Sequence, residues 1–439
     1  MNYELCINGN IKEFIKKHLN DDVNKLALSK FPEGVDKQFV IRQIQARQVL
    51  SKKLPSWAEN DELIFPKKLS LEQCSSELAA KYKASLLKGK TLIDLTGGMG
   101  VDTSFLSDNF DKTYYVEMQE ELCEIAKHNF KILNKNIEVV NDNAEHFLTT
   151  CDEVDCIYLD PARRDEYGRK MVSLHDCSPD VAELHDILLK KNKKVLVKVS
   201  PMLDIEMIKK ELADITEIHV VAVRNECKEI LVILGQQTTD NGQQTLPMAH
   251  GSRLIAIDLR EEWSFSFTED EERDAQWTLA DSVGKYLYEP GVACMKAGCF
   301  KLLSQRFNID KLHRNSHLYT SDELVADFPG RIFEVVCAVP FDKKTKKEIT
   351  SICQQTTDNG QQTLEESSKL KAQGSRLKAS VAVRNFPLSA EELKKNLGLQ
   401  DGNDFYIFGT TMKGEKKIVV IGQKLRTQNS ELRTLNFEL

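Results

Sequence analysis

Apolar positions recur along this chain with two periods. Through the first ninety residues the period is helical. Leu71, Cys74, Leu78 and Tyr82 share a face, Ser70 followed by Gln73 has the form of a capping box, and Gly89 closes the segment. An earlier helix is predicted over Asp36–Leu54, stopped by Pro55. From Lys90 the pattern changes to short β-branched runs separated by helical stretches. Strands are predicted at Thr91–Leu95, Thr113–Glu117, Ile137–Asn141, Cys156–Asp160, Lys194–Val199, Glu217–Val223 and Lys228–Leu234. Helices such as Gln119–Leu133 and Ala182–Lys191 fill the gaps. Alternation of this kind builds a parallel α/β sheet covered on both faces. A short link, Arg224–Cys227, separates the last two runs, so they are expected to pair as an antiparallel hairpin at one edge of a seven-stranded sheet.

Beyond residue 260 the acidic run Glu269–Asp274 reads as a linker or a helix start. Mixed α+β sequence follows over Thr278–Phe307, then β-rich runs at Arg331–Val336, Ala379–Arg384, Phe405–Gly409 and Lys417–Ile421. The expected organisation is an N-terminal helical domain (1–89), an α/β domain (90–272), two small α+β modules (273–322 and 323–427) and a tail (428–439). The segment QQTTDNGQQTL occurs twice, at Gln236–Leu246 and Gln354–Leu364, each copy followed by Gly-Ser-Arg-Leu. The flanking sequences differ, so no domain is duplicated. Polar composition around a central Asn-Gly predicts exposed hairpin extensions.

With 41% apolar and 29% charged residues among 439, the chain can bury several cores, which excludes wholesale disorder and collagen-like architecture. No apolar run approaches the ~18 residues of a membrane helix. The start, Met1–Leu5, lacks the layout of a secretory signal. Eleven cysteines without a CxxC pair read as reduced thiols. A cytoplasmic protein is expected, with no membrane partner.

Charge is uneven along the chain. Residues 1–90 carry 16 basic and 11 acidic side chains, and residues 91–235 carry 17 and 28. An acidic middle argues against unselective coating of nucleic acid but leaves room for a local basic groove. Residues 331–387 hold 10 basic and 6 acidic groups, among them Lys343, Lys344, Lys346 and Lys347, and read either as solvated loops or as such a groove. On the Asp36–Leu54 helix, Arg47 lies about 140° and Lys52 about 280° from Arg42, so these cations ring it rather than line one face, and they read either as a solvated helix or as an RNA-facing stripe.

The candidate chemistry lies at strand ends. Asp94-Leu95-Thr96-Gly97-Gly98-Met99-Gly100 follows the first strand, and its glycines permit close backbone approach to a ligand ahead of a helix N-terminus. The third glycine of a dinucleotide fingerprint is missing, because Thr103 stands there. Glu117 ends the second strand, placed to accept hydrogen bonds from ribose hydroxyls. Asn141-Asp142-Asn143-Ala144 ends the third and suits an adenine edge. Asp160-Pro161-Ala162-Arg163-Arg164 ends the fourth. Four such stations at the carboxyl ends of consecutive parallel strands describe one ligand crevice.

With these motifs the chain resembles the class I S-adenosyl-L-methionine-dependent methyltransferases, DLTGGMG looking like their first motif with Thr96 in place of the first glycine. The resemblance implies that Asp94 and the Thr96–Gly100 backbone hold the methionine part of the cofactor, and that Glu117 binds the ribose. It also implies that Asn143, or Asp142 after a one-residue slip, contacts adenine beside Ala144. DPAR looks like the Asp-Pro-Pro-Tyr motif of enzymes that methylate nitrogens. It departs at Ala162 and Arg163, which removes the ring that would stack on a flipped base. More closely, the chain resembles a bacterial group of methyltransferases with a THUMP-like C-terminal domain preceded by a ferredoxin-like module. The segments that carry this are LPSWAENDELIFP (54–66), LSLEQCSSE (69–77), YLYEPG (286–291), HLYTSD (317–322) and KASVAVRNFP (378–387). THUMP domains bind RNA, so the resemblance implies an RNA substrate.

A sulfonium methyl is already activated, so positioning and proton management remain. Asp160, with the carbonyls beside Pro161, is the candidate to aim a nitrogen lone pair and accept its proton. Arg163 and Arg164 either clamp phosphate or a guanine edge, or pair with Asp165 or Glu166. Cys156 precedes Asp160 by four residues inside the strand, which disfavours cytosine carbon-5 chemistry. Gln73, Ser75 and Ser76 stand before the first strand and are candidates to cap the pocket. His313 and His317 lack companions for a four-ligand site, so no metal is expected. A methyltransferase for a small molecule or protein, and a binding protein without catalysis, are the rival readings.

Overall fold

The computed structural model describes residues 9–31, 35–163, 173–235, 251–349, 351 and 377–425. Both copies of the eleven-residue repeat, Arg164 and the expected tail lie outside them. The described residues divide into two compact units, one formed by those up to Val221 with those of Lys228–Arg253, the other by Ala222–Cys227 and those from Leu254 to residue 425.

The first unit opens with helices α1 (Gly9–Lys17), α2 (Val23–Leu28), α3 (Lys37–Leu50), α4 (Pro55–Ala58), α5 (Lys68–Gln73) and α6 (Glu77–Leu86). Asp36 caps α3 by accepting the amides of Gln38 and Phe39 at 3.0 and 3.1 Å. Arg47 on this helix is not solvated. Its guanidinium is buried and donates to the carbonyls of Leu63 (2.9 Å) and Asn60 (3.2 Å), so it ties α3 to the following loop. Burial pushes its pKa down to about 10. The helix expected to run on from Ser70 breaks at Cys74. Ser76, not Ser70, caps the next turn by accepting the Ala79 amide, while the Ser75 hydroxyl bonds to Asp102 at 2.7 Å. The Ser76 side chain, which accepts a backbone amide of the following turn, favours this break. Leu50, Leu54, Trp57, Phe65 and Leu71 pack with Met99 and Val101, and Ile11, Val40 and Ile44 with Ile125.

The α/β part runs β1 (Gly89–Asp94), α7 (Val101–Leu106), β2 (Phe110–Glu117), α8 (Glu120–Ile132), β3 (Ile137–Asn141), α9 (Ala144–Thr150) and β4 (Val154–Leu159). It continues through β5 (Ala162–Arg163), β6 (Cys177–Ser178), α10 (Val181–Lys191), β7 (Asn192–Val199), α11 (Ile205–Glu211), β8 (Ile215–Val223) and β9 (Glu226–Gly235). Then come β10 (Arg253–Asp258) and β11 (Trp263–Thr268), which apart from Arg253 belong to the second unit. Gly89 thus opens a strand rather than ending a helix. The sheet order is β11-β10-β8-β9-β7-β4-β1-β2-β3. The pairs β1/β2, β2/β3, β1/β4 and β4/β7 are parallel, and β9 runs antiparallel to β7. Order reverses at β1, which neighbours β2 on one side and β4 on the other, opening a crevice at their carboxyl ends.

The sheet has nine strands rather than seven. The alternating burial of Leu254, Ala256, Phe265 and Phe267 is the strand signal of β10 and β11. Between β8 and β9 the turn residues Arg224 and Asn225 both have positive φ, 54° and 59°. The buried Asp258 carboxylate holds that turn by accepting both amides, at 3.1 and 2.5 Å.

In the second unit the acidic run is a helix, α12 (Glu269–Asp274), started by a Thr268–Glu271 capping box. After it come β12 (Tyr286–Pro290), α13 (Val292–Ala297), α14 (Phe300–Phe307), β13 (Asp310–Lys311), β14 (Tyr319–Ser321), β15 (Gly330–Pro340), β16 (Lys378–Arg384), α15 (Ala390–Leu397), β17 (Gln400–Met412) and β18 (Lys416–Lys424). One sheet, ordered β13-β14-β12-β15-β18-β17-β16, joins these strands around a core that includes Leu287, Phe333, Phe408 and Val420.

Candidate active site

At the carboxyl ends of β1 to β4 the first unit holds a cavity of about 280 Å³. Its lining includes Asp94, Thr96, Gly97, Gly98, Gly100, Glu117, Asp142, Asn143, Ala144 and Asp160. Pro161 lies outside the lining, and the side chain of Arg163 lies outside the described residues. Gln73 and Ser75 reach the cavity, whereas Ser76 is spent on its helix cap.

Asp94 is buried at the end of β1. Its carboxylate accepts the Thr96 amide at 2.9 Å and the Thr103 hydroxyl at 2.5 Å. Burial pushes its pKa up to about 7, against the pull of those two hydrogen bonds. The loop beyond it needs its glycines. A Cβ on Gly97 would run into the Tyr115 ring, and Gly98 takes a φ of +55°, a conformation that residues with a side chain rarely adopt. The Tyr115 hydroxyl donates to the Gly98 carbonyl at 2.6 Å. Glu117, at the end of β2, accepts the amides of Gly98 (3.0 Å) and Gln119 (2.8 Å), so one carboxylate joins the loop to the next strand.

Past β3, Asn143 caps α9 through its side-chain oxygen, which accepts the His146 amide at 2.7 Å. Asp142 accepts the Asn143 amide at 2.8 Å and pairs with the His146 ring at 2.6 Å. At the end of β4 the Asp160 amide donates to the Thr96 hydroxyl at 2.6 Å. The Asp160 carboxylate meets the ammonium of Lys198 at 2.5 Å. Ala162 on β5 pairs with Ser178 on β6, and both reach the cavity.

Sequence reasoning missed the charged groups beneath this cavity. Lys83 on α6 is fully buried, with its ammonium 2.9 Å from Glu229 on β9, 3.0 Å from the Ser75 hydroxyl and 3.3 Å from Asp102. Asp102 also accepts hydrogen bonds from Tyr158 and Ser75, both at 2.7 Å. Burial alone would raise the Asp102 pKa, but Lys83 and Lys198 outweigh it and hold the group low. Burial likewise pulls the Lys198 ammonium down, yet Asp160, Glu229 and Asp102 carry it above the usual lysine value. A lysine inside an otherwise apolar strand, Val-Leu-Val-Lys-Val, was the signal available. Met118 was also missed. It follows Glu117 along the cavity and is 72% exposed.

Elsewhere, His313 bonds to Glu415 and Asn385 at 2.9 Å each, and the His317 ring lies 3.8 Å from that of Phe300. No cluster of metal-ligating side chains occurs among the described residues.

Comparison with known proteins bears on the whole chain. Residues 76–221 match the family described as conserved hypothetical protein 95, residues 286–329 a ferredoxin-like domain and residues 363–424 a THUMP domain-like family. A crystal structure of a Porphyromonas gingivalis W83 protein described as a methyltransferase is 32% identical. The match covers 97% of this chain and all of that one, with a TM-score of 0.80. A Streptococcus mutans protein described as a methyltransferase, in complex with SAH, is 16% identical over 35% of this chain and 94% of its own, with a TM-score of 0.27. An rRNA methylase from Streptococcus thermophilus is 16% identical over 36% of this chain and 94% of its own, also at 0.27. Likenesses that partial carry no argument alone. No curated protein matches the chain.

Proposed function

Because the chain belongs to the S-adenosylmethionine-dependent methyltransferases with a THUMP-like C-terminal domain, we propose that it methylates a base nitrogen of RNA, with Asp160 meeting the reacting nitrogen. The observation that carries this reading is the Asp160 carboxylate, which lines the same cavity as the glycine loop and Glu117.

The residues present suit the cofactor. Gly98, without a side chain, lines the cavity and permits close approach of a ligand to its backbone, and Asp94 lines it too, for the methionine part. Glu117 oxygens suit ribose hydroxyls, and the exposed Met118 gives adenine an apolar surface beside the Asp142–Ala144 backbone. Bound S-adenosylmethionine supplies an activated methyl group. Asp160 then accepts an N–H of the substrate, aims the nitrogen lone pair and takes up the released proton. The sequence supplies a guanidinium at Arg163 where related motifs carry a ring, which favours a phosphate or guanine edge over a stacked adenine.

Asp160→Ala is expected to abolish methyl-tritium transfer into RNA, with cofactor affinity by calorimetry within about threefold of wild type. Full activity in that variant removes Asp160 from the mechanism. Label in proteins or small molecules, with none in RNA, overturns the RNA substrate. Mass spectrometry of nucleosides from cells with and without the gene identifies the methylated base.

A further inference from the structure

Asp160 is held at two points. The Thr96 hydroxyl accepts its backbone amide at 2.6 Å, and Lys198 takes one carboxylate oxygen, Oδ2, at 2.5 Å. The other oxygen, Oδ1, receives no hydrogen bond from the described residues. The contact follows from the sheet. Leu159 on β4 pairs in register with Val197 on β7, so the next residues, Asp160 and Lys198, leave their strands side by side. The Lys198 side chain is 15% exposed, and an ammonium that deep is costly unless anions compensate it. Its electrostatic partners besides Asp160 are Glu229 on β9 and Asp102 on α7. Those two acids are already tied to Lys83, at 2.9 and 3.3 Å. Asp160, with its carboxylate about one-third exposed, is the member of this group that meets Lys198 directly and also opens to the cavity.

We propose that Lys198 is a positioning residue for methyl transfer: by occupying Oδ2 of Asp160 it fixes the carboxylate rotamer and leaves Oδ1 as the acceptor offered to the substrate N–H. This rests on Asp160 being the group that meets the nitrogen. Lys198 itself touches neither cofactor nor substrate and takes no part in bond making. A carboxylate without that anchor rotates about its terminal torsion, so the acceptor is aimed in only a fraction of encounters. The effect belongs to kcat rather than to cofactor binding.

The test uses the full-length protein, S-adenosylmethionine and total RNA from cells lacking the gene. Lys198→Met is expected to lower kcat on the order of 10²-fold. Its KM for the cofactor should stay within about threefold. Lys198→Arg, which keeps the cation, should recover activity to within about tenfold of wild type. Asp160→Asn combined with Lys198→Met should be no slower than Asp160→Asn alone, because both changes remove one device. Wild-type kcat in Lys198→Met, no recovery in Lys198→Arg, or losses that multiply in the double variant overturn the proposal. If Lys198→Met fails to fold, as judged by cofactor calorimetry, Lys198→Gln is held to the same criteria. An inactive Asp160→Ala beside a normal Lys198→Met defeats this inference alone, whereas an active Asp160→Ala defeats the reading beneath it.

Discussion

At the scale of single residues, Asp94 makes the most direct link between burial and function. Its folded-state pKa of about 7 stands well above the ordinary 3.8. The folded chain therefore keeps a proton that the unfolded chain has lost between about pH 4 and 7. Stability from this group is full below the unfolded value and lost as pH rises through 7. Ionisation has the opposite effect on a cationic ligand. S-adenosylmethionine should bind about tenfold more tightly at pH 8 than at pH 6, and Asp94→Asn should bind it weakly with a flatter profile. Calorimetry across that range decides, and equal pH dependence in both proteins would remove Asp94 from the linkage. The crowding at Gly97 belongs to this scale too, since the Tyr115 ring leaves no room for a Cβ there.

Between elements, the buried ions act as pins. Lys83 joins α6 to β9 through Glu229 and to the start of α7 through Asp102, in a region with almost no solvent. Lys83→Met leaves both carboxylates without that cation, and such a loss costs about 3–5 kcal/mol. The unfolding free energy read from a denaturant titration should fall by that amount, with the midpoint moving to lower denaturant, while Lys81→Met on the exposed face of the same helix changes it little. Arg47 pins α3 to its loop in the same way. The break at Cys74 also has a use at this scale, because it frees Ser75 to bond both Lys83 and Asp102. A continuous helix would not leave that hydroxyl at the edge of the cavity.

For the whole molecule, the two units carry different parts of the proposed task. The cavity belongs to the first, and the exposed lysines Lys343, Lys344 and Lys347 belong to the second. If these lysines contact RNA phosphates, reversing all three to Glu weakens RNA binding and lowers its salt slope by about three. Cofactor affinity should not change. Filter binding over a salt series tests this, and an unaltered slope would return the lysines to the role of solvated surface.

The strand–helix alternation, the glycine loop and the acids at strand ends were legible because each depends on neighbours within a few residues, where period and turn chemistry decide. The seven strands read from the sequence are β1 to β4 and β7 to β9. β10 and β11 were passed over because their short alternating runs resemble loop sequence until a partner strand pairs with them. The ion network beneath the cavity was out of reach for a different reason. Lys83 and Glu229 stand 146 residues apart, and Lys198 and Asp160 stand 38 apart. The apolar run around Lys198 marks a lysine that enters the sheet, but no local pattern says which acid it meets. Sequence by itself determined the strand–helix alternation and the order in which glycines and acids follow the strands. Folding alone decided which charges meet, because a long-range ion pair exists only once the sheet has set its strand order.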